Sequence, residues 1–393
     1  MKAFLYKAKG AIALTLAMSM FCPQVFAAEA ASVKAQEAGE AAVEAVQEKE
    51  VLTIANALER AKKHSPEILD IEASLEVLRE NNEEMFDSLG TNPVPADYEY
   101  KKWVSGGWHS VVSGVFQLQQ GIKQANLGVE LQGMVLELTV RTFFQNIVAL
   151  EDTVELLKES ARMQDTTYKQ GQVKHRLGML SSYKLEQLAI AAQQAKDTLR
   201  MTEAGLEQVY ISFNDILGVN PNTRFEFVYD VTFTPYELHG TIDQFINDKM
   251  NDDIMIKMQE LTVDTAKFTN NYRSADTLVP TDDNDQLNYD KEKRALKTAK
   301  EEKETLIRNT YLKIKALETE YETLQASLKK AEAEYRAAQL SFQTGALTQL
   351  AVDGAEMAVT KAKNDVKNLV YEHDMLVFQF ENPSILFSST GGQ

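Results

Sequence analysis

Apolar residues in this chain recur every seven positions, and the pattern is written twice. One stripe runs Val140, Ile147, Val154, Ala161, Tyr168, and 167 residues later the register reads Ile307, Ile314, Tyr321, Leu328, Tyr335. A companion stripe places Leu150 and Leu157 in the first copy and Leu317 and Leu324 in the second. Beyond a glycine in each copy, Leu185, Ala192, Leu199, Leu206 and Phe213 become Val352, Val359, Val366, His373 and Phe380. A sustained period of seven keeps one seam of a helix against a partner helix. A fixed internal offset marks a duplication. The pattern predicts an all-α fold of long antiparallel coiled-coil hairpins in two structural repeats, with at most a short β connector.

Local signals place the elements. Thr53 is a good N-cap for a helix through Ile54, Leu58 and Ala61, and Ser65-Pro66 restarts it toward Phe86. Thr241 opens the matching segment, with a second cap near Asn251–Asp253 and an end near Tyr272. Long helices are predicted over 111–177 and 291–344, about 100 and 80 Å at 1.5 Å per residue. Each ends in a glycine turn, Leu177-Gly178-Met179-Leu180-Ser181 and Thr344-Gly345-Ala346-Leu347-Thr348. Glycine supplies a left-handed stop, and Ser181 or Thr348 can cap the returning helix. The returning helices, 181–217 and 348–381, reach about 50 Å, half the long arm. Stacking each short helix end to end with a returning helix covers the long one. Residues 223–236 alternate and are β-prone, a connector between the halves.

The first 27 residues read as an export leader. Lys2, Lys7 and Lys9 precede a short apolar stretch, and Val25-Phe26-Ala27 fits a cleavage site. The expected division is a signal peptide at 1–27, a low-complexity acidic linker at 28–50, a first helical repeat at 51–222, a connector at 223–240, a second repeat at 241–385 and a disordered tail at 386–393. Cys22 is the one cysteine and falls in the leader, so the mature chain carries no disulfide or thiol chemistry.

The net charge is −17 before the leader's three lysines are lost, which opposes nucleic-acid binding and docking on anionic lipid. No mature stretch has eighteen consecutive apolar residues, so no spanning helix is predicted. No nucleophile–base pair, Gly-rich nucleotide loop or metal-ligand spacing occurs. The expectation is a non-enzyme without cofactor or metal. Asp282-Asp283-Asn284-Asp285 lacks the glycine and glutamate of a calcium loop and reads as a solvated loop. His373 falls on the heptad seam and reads as a satisfied seam histidine. Lys174-His175-Arg176 suits a helix C-terminus or a partner contact equally.

Residues 51–69, VLTIANALERAKKHSPEIL, resemble the opening of the TolC-like outer-membrane efflux channel family. The two turns, with Tyr168 and Tyr335 each ten residues before the glycine and an apolar pair after it, are similar to that family's repeated tip. Leu217-Gly218-Val219 resembles the end of its first half. The resemblance covers roughly 51–385. It implies a homotrimeric helical cylinder in the periplasm, anchored at the outer membrane and serving efflux or type I-like secretion by passive transport. Its tips would dock a periplasmic adaptor protein coupled to an inner-membrane pump. On that basis Leu177, Gly178, Leu180, Ser181, Gly345, Leu347 and Thr348 are the adaptor-docking residues.

The sequence departs from the family in two places. The family's membrane hairpins would fall at 87–110 and 273–290. A spanning strand needs about 9–11 alternating residues. The second slot instead holds a proline and a run of aspartates, and the first has Tyr98, Tyr100, Trp103 and Trp108 without alternation. A tube without its membrane pore is expected, with Trp103 and Trp108 as candidate membrane contacts. The family's acidic constriction positions are occupied here by Lys184 and Ala351, with Asp353 nearby, so Lys184 and Asp353 are the constriction candidates. The alternative to a conduit is a cell-envelope coiled-coil scaffold that kept the tube fold and lost the channel.

Overall fold

The chain divides into two units, residues 1–48 and 49–393. A computed structural model describes residues 50–95, 98–228, 231–276 and 282–386, all in the second unit. The predicted signal peptide, almost all of the predicted linker and residues 387–393 lie outside the described residues.

The order is β1 (Glu50–Thr53), α1 (Ile54–His64), α2 (Pro66–Leu89), β2 (Lys102–Val104), α3 (Gly106–Arg176), α4 (Ser182–Ile216), β3 (Phe225–Val228), α5 (Ile242–Asp252), α6 (Ile254–Asn271), β4 (Tyr272–Ser274), α7 (Asp282–Gln343) and α8 (Gln349–Glu381). A 3-10 turn at Pro383–Ile385 follows. The caps fall where local chemistry sets them. Thr53 Oγ1 accepts from the Asn56 amide, and Ser65 Oγ from Ile68, with Pro66 at the first helical position. Thr241 and Gln244 form a capping box, and Asp253 accepts from Ile256. α7 begins at Asp282, so the predicted aspartate loop is its first turn. The Asp283 and Asp285 carboxylates lie at the positive end of the helix dipole, where negative charge is favourable.

The two long arms hold 71 and 62 residues, about 107 and 93 Å. Each is covered by shorter helices, α1, α2 and α4 along α3 and α5, α6 and α8 along α7. Along α3, Leu78 of α2 lies 3.6 Å from where a Cβ on Gly121 would stand, and Arg79 bonds Asn126 at 3.1 Å. Farther along, Glu151 accepts from Tyr210 of α4 at 2.6 Å and Asp165 from Lys196 at 2.8 Å. Along α7, Glu260 of α6 accepts from Lys300 at 2.8 Å and Asp243 of α5 pairs with Arg308. α8 covers the distal end.

The largest core lies at a belt where α1, α3, α4, β1 and β3 meet, with Leu52, Val140, Phe144, Ile147, Phe213, Leu217 and Phe225 buried. β1 pairs in parallel with β3, Leu52 opposite Phe227. Patterning marks the β-prone connector but not its partner: Glu50, at the end of the predicted linker, opens β1, and Thr53 both closes β1 and caps α1. On the second half Ile246, Ile307, Ile314 and Phe380 form the corresponding core. Seam burial fades outward from the belt. Ile147 is fully buried, whereas Tyr168 and Tyr335 are half-exposed.

At the end remote from the glycine turns, β2 pairs in parallel with β4, Trp103 opposite Arg273. These strands have three residues each, far short of a spanning strand. Residues 277–281 of the second slot lie outside the described residues. No helix among the described residues is long and apolar enough to cross a membrane.

Candidate functional site

Both turns close with the same backbone arrangement. At the first, Gly178 donates to His175 O at 2.9 Å and Met179 to Lys174 O at 2.8 Å. At the second, Gly345 donates to Phe342 O at 2.9 Å and Ala346 to Ser341 O at 2.8 Å. This pair of bonds satisfies the last free carbonyls and requires a left-handed residue, supplied by Gly178 at φ 72° and Gly345 at φ 75°. A Cβ at either glycine would meet nothing within 4 Å, so the requirement is backbone conformation alone.

The side chains differ. Ser181 Oγ accepts from the Lys184 amide at 3.2 Å and caps α4. Thr348 occupies the corresponding cap position without a side-chain cap bond, contrary to the expectation that it caps. His175 Nδ1 lies 2.8 Å from Leu180 O, a geometry that requires its N–H to donate across the first turn. Leu180 is half-buried and folds back toward Gly171, 3.5 Å from where its Cβ would stand. Gly171 is buried because Leu188 Cδ1 would lie 2.5 Å from that Cβ. The repeat places Ala338 and Ala355 at those two positions, so a glycine–leucine pair in one hairpin is an alanine pair in the other.

The exposed apolar residues at the first turn are Val173, Leu177, Met179 and Tyr183, with Leu177 68%, Met179 72% and Tyr183 71% exposed. The second presents Leu340, Phe342 and Leu347. The docking set named from sequence included Leu177 and Leu347 but not Met179, Tyr183 or Phe342. Large apolar side chains flanking a left-handed glycine were the available signal.

The constriction candidates Lys184 and Asp353 make separate contacts. Lys184 is exposed and its Nζ donates to Gln187 at 3.1 Å. Asp353 lies on the seam between the hairpins, accepting from Gln349 at 2.7 Å and pairing with Arg162 of α3 at 3.4 Å. Farther down the same seam Lys367 pairs with Asp152 at 2.6 Å, and Arg141 with Asp374 at 3.5 Å. Lys169 and Lys196 both hydrogen-bond Asp165, which lowers its pKa to about 2. Glu318 is held below the ordinary carboxylate range. Burial acts to raise it, but the Lys315 ammonium, the Tyr236 amide and His373 outweigh that. His373 is buried on the seam as expected, with Nε2 3.7 Å from Glu318. That nitrogen has no hydrogen-bond partner, so the histidine is less satisfied than the sequence suggested.

At the remote end Trp103 and Trp108 are half-exposed, Trp103 beneath the Arg273 guanidinium at 5.8 Å. Arg273 is buried, donating to Asn270 O at 2.6 Å and pairing with Asp285 at 3.3 Å. Tyr98 and Gln120 both donate to Asp264, and Asn271 donates to Tyr98 O at 2.9 Å. This polar network joins the two halves at the slots where the family's membrane hairpins would fall. Among the described residues no cluster of His, Cys, Asp or Glu is arranged to hold a metal.

No protein-family profile matches the sequence, and no curated protein matches it. Solved structures do. The Campylobacter jejuni CmeC outer membrane channel aligns with TM-score 0.59 at 13% identity over 92% of this chain and 96% of that one. The outer membrane protein VceC of Vibrio cholerae aligns with TM-score 0.57 at 11% identity over 84% and 96%. The open-state MtrE outer membrane channel of Neisseria gonorrhoeae aligns with TM-score 0.57 at 12% identity over 84% and 88%. The described fold is therefore that of TolC-like helical channels.

Proposed function

We propose that this protein is an exported, non-enzymatic conduit of the TolC-like type, serving efflux or type I-like secretion across the cell envelope. Three copies form the walls of a water-filled helical cylinder, and the glycine turns are the end that meets a periplasmic adaptor served by an inner-membrane pump. Transport is passive, and separation of the hairpin tips admits substrate. The observation that carries this reading is the duplicated hairpin with matched turns on a fold shared with outer-membrane channels. The Arg162–Asp353 and Lys367–Asp152 pairs, which hold the second hairpin against the first, are the contacts such a movement would break. Electron microscopy of the protein purified from the envelope fraction tests it: hollow three-fold rings are expected, and solid single rods contradict it.

The second reading is a cell-envelope scaffold that kept the tube fold without the channel. The short β2–β4 pair favours it, because the described slot residues form a three-residue parallel pair rather than membrane-length strands. On that reading Trp103 and Trp108 give at most a peripheral membrane contact.

A further inference from the structure

The two turns share a backbone but not a charge. In a chain with 58 acidic residues and a net charge of −17, residues 166–185 contain no Asp or Glu and carry Lys169, Lys174, His175, Arg176 and Lys184. Residues 335–352 also contain no Asp or Glu, but Arg336 is their one cation. Lys169 is bound to Asp165, and Lys184 bonds a neutral glutamine. Lys174 and Arg176 form no ion pair among the described residues, and both are exposed.

A structural reason for this charge is a cation at a helix C-terminus. The second hairpin argues against its necessity: α7 ends in the same two hydrogen bonds with no basic residue in its last turn. The first turn also projects farther. Asp353 lies level with Arg162; Gly345 is eight residues from Asp353, and Gly178 is sixteen from Arg162. At 1.5 Å per residue that pair sets the first turn about 12 Å beyond the second, and the Lys367–Asp152 pair on the same seam, four residues out of step, sets it about 6 Å beyond. There Leu177, Met179 and Tyr183 are more than two-thirds exposed. Such clustering marks a partner surface.

We infer that the first turn docks an acidic amphipathic helix of the adaptor. Lys174, Arg176 and Lys184 meet its carboxylates, and Leu177, Met179 and Tyr183 meet its apolar face. The second turn offers apolar contact alone. This inference rests on the conduit reading, in which the turns meet an adaptor. An anionic lipid surface shares the required charge, but interfacial binding uses a broad face laid flat. This turn is a narrow end of two helices.

The test uses the full-length protein with two synthetic amphipathic helices of one length, one built of Leu and Glu, the other of Leu and Lys. Vesicles containing phosphatidylglycerol form a third arm. The Leu/Glu helix is expected to bind roughly tenfold more tightly than the Leu/Lys helix, with a preference that weakens as salt rises. K174E/R176E/K184E is expected to remove the preference, and K329E/K330E, on exposed α7 positions remote from the turns, to leave it. Circular dichroism verifies that both variants fold. Equal binding of the two helices, a preference that survives the triple reversal, or vesicle binding in place of peptide binding overturns the inference. A hollow trimer that ignores the acidic helix defeats this partner chemistry alone. A monomer that binds it defeats the conduit reading alone.

Discussion

The belt and the distal hairpins are built from the same heptads but are held by different means. At the belt, Val140, Ile147, Phe144 and Phe213 are buried under α1 and the β1–β3 pair. Beyond Ala161 each hairpin is a helix pair in which small seam residues such as Ala192, Val352 and Val359 are buried while Tyr168 and Tyr335 stay half-exposed, and ion pairs such as Lys196–Asp165 and Arg162–Asp353 link the arms. Removal from water stabilises the belt by about 25 cal/mol per Å² of apolar surface. Exposed ion pairs contribute about 0–1 kcal/mol each. The difference implies a firm belt carrying arms that separate at small cost, as the proposed conduit requires.

The largest effect is expected at the belt. Lys303 is buried, donates to Pro383 O at 2.8 Å and Leu386 O at 3.0 Å, and pairs with Asp253, itself 1% exposed. Lys303→Ala leaves a buried carboxylate uncompensated and should cost about 3–5 kcal/mol, read as a lower denaturant midpoint. An unchanged midpoint would show that the belt is not the stable part.

An intermediate effect belongs to the hairpin interior. Gly171→Ala drives a methyl into Leu188 and should cost about 1–2 kcal/mol, an overpacking penalty partly offset by helix propensity. Adding Leu188→Ala recreates the Ala338–Ala355 pair of the second hairpin and should recover most of the loss. A double variant no better than the single one would contradict the equivalence of the two hairpins. At the turns, Gly178→Ala and Gly345→Ala should each cost about 1–2 kcal/mol locally, because both glycines are left-handed. Amide exchange at Met179 and Ala346 should accelerate to a similar degree, since the backbone geometry matches.

The smallest effect concerns acid. Asp165 titrates near 2 rather than 3.8, so its contribution is complete above about pH 4 and is lost as pH falls through 2. Glu318 has the same sign, its contribution being present above 4.5 and fading below its lowered pKa. Asp165→Asn should flatten part of the acid limb of the stability curve at low ionic strength and change little in high salt, since its two lysine partners stand in solvent. Glu318→Gln, at a half-buried site against the buried His373, should persist in salt. Equal salt sensitivity of the two variants would erase the distinction between belt and arms.

What the sequence disclosed was local. Heptads fixed the seams, and Thr53, Ser65, Thr241, Asp253 and the two turn glycines fixed the helix ends, because a cap or a left-handed stop is decided within a few residues. The strand pairs were hidden. Each has three or four residues, and its partner lies about 170 positions away, so no local period announces it. Lys303 was hidden for another reason: in the run Lys300–Glu304 it looks like one more solvated charge, and only the returning C-terminal turn buries it. Asp353 was legible as an acid near the tip, but its pairing with Arg162 depended on how the two hairpins pack.

The central claim is that these hairpins are staves of a tube rather than a free-standing rod. Light scattering on the detergent-extracted mature protein measures this directly. The account predicts a single species of three times the chain mass that persists on dilution, whereas a stable monomer at all concentrations would contradict it.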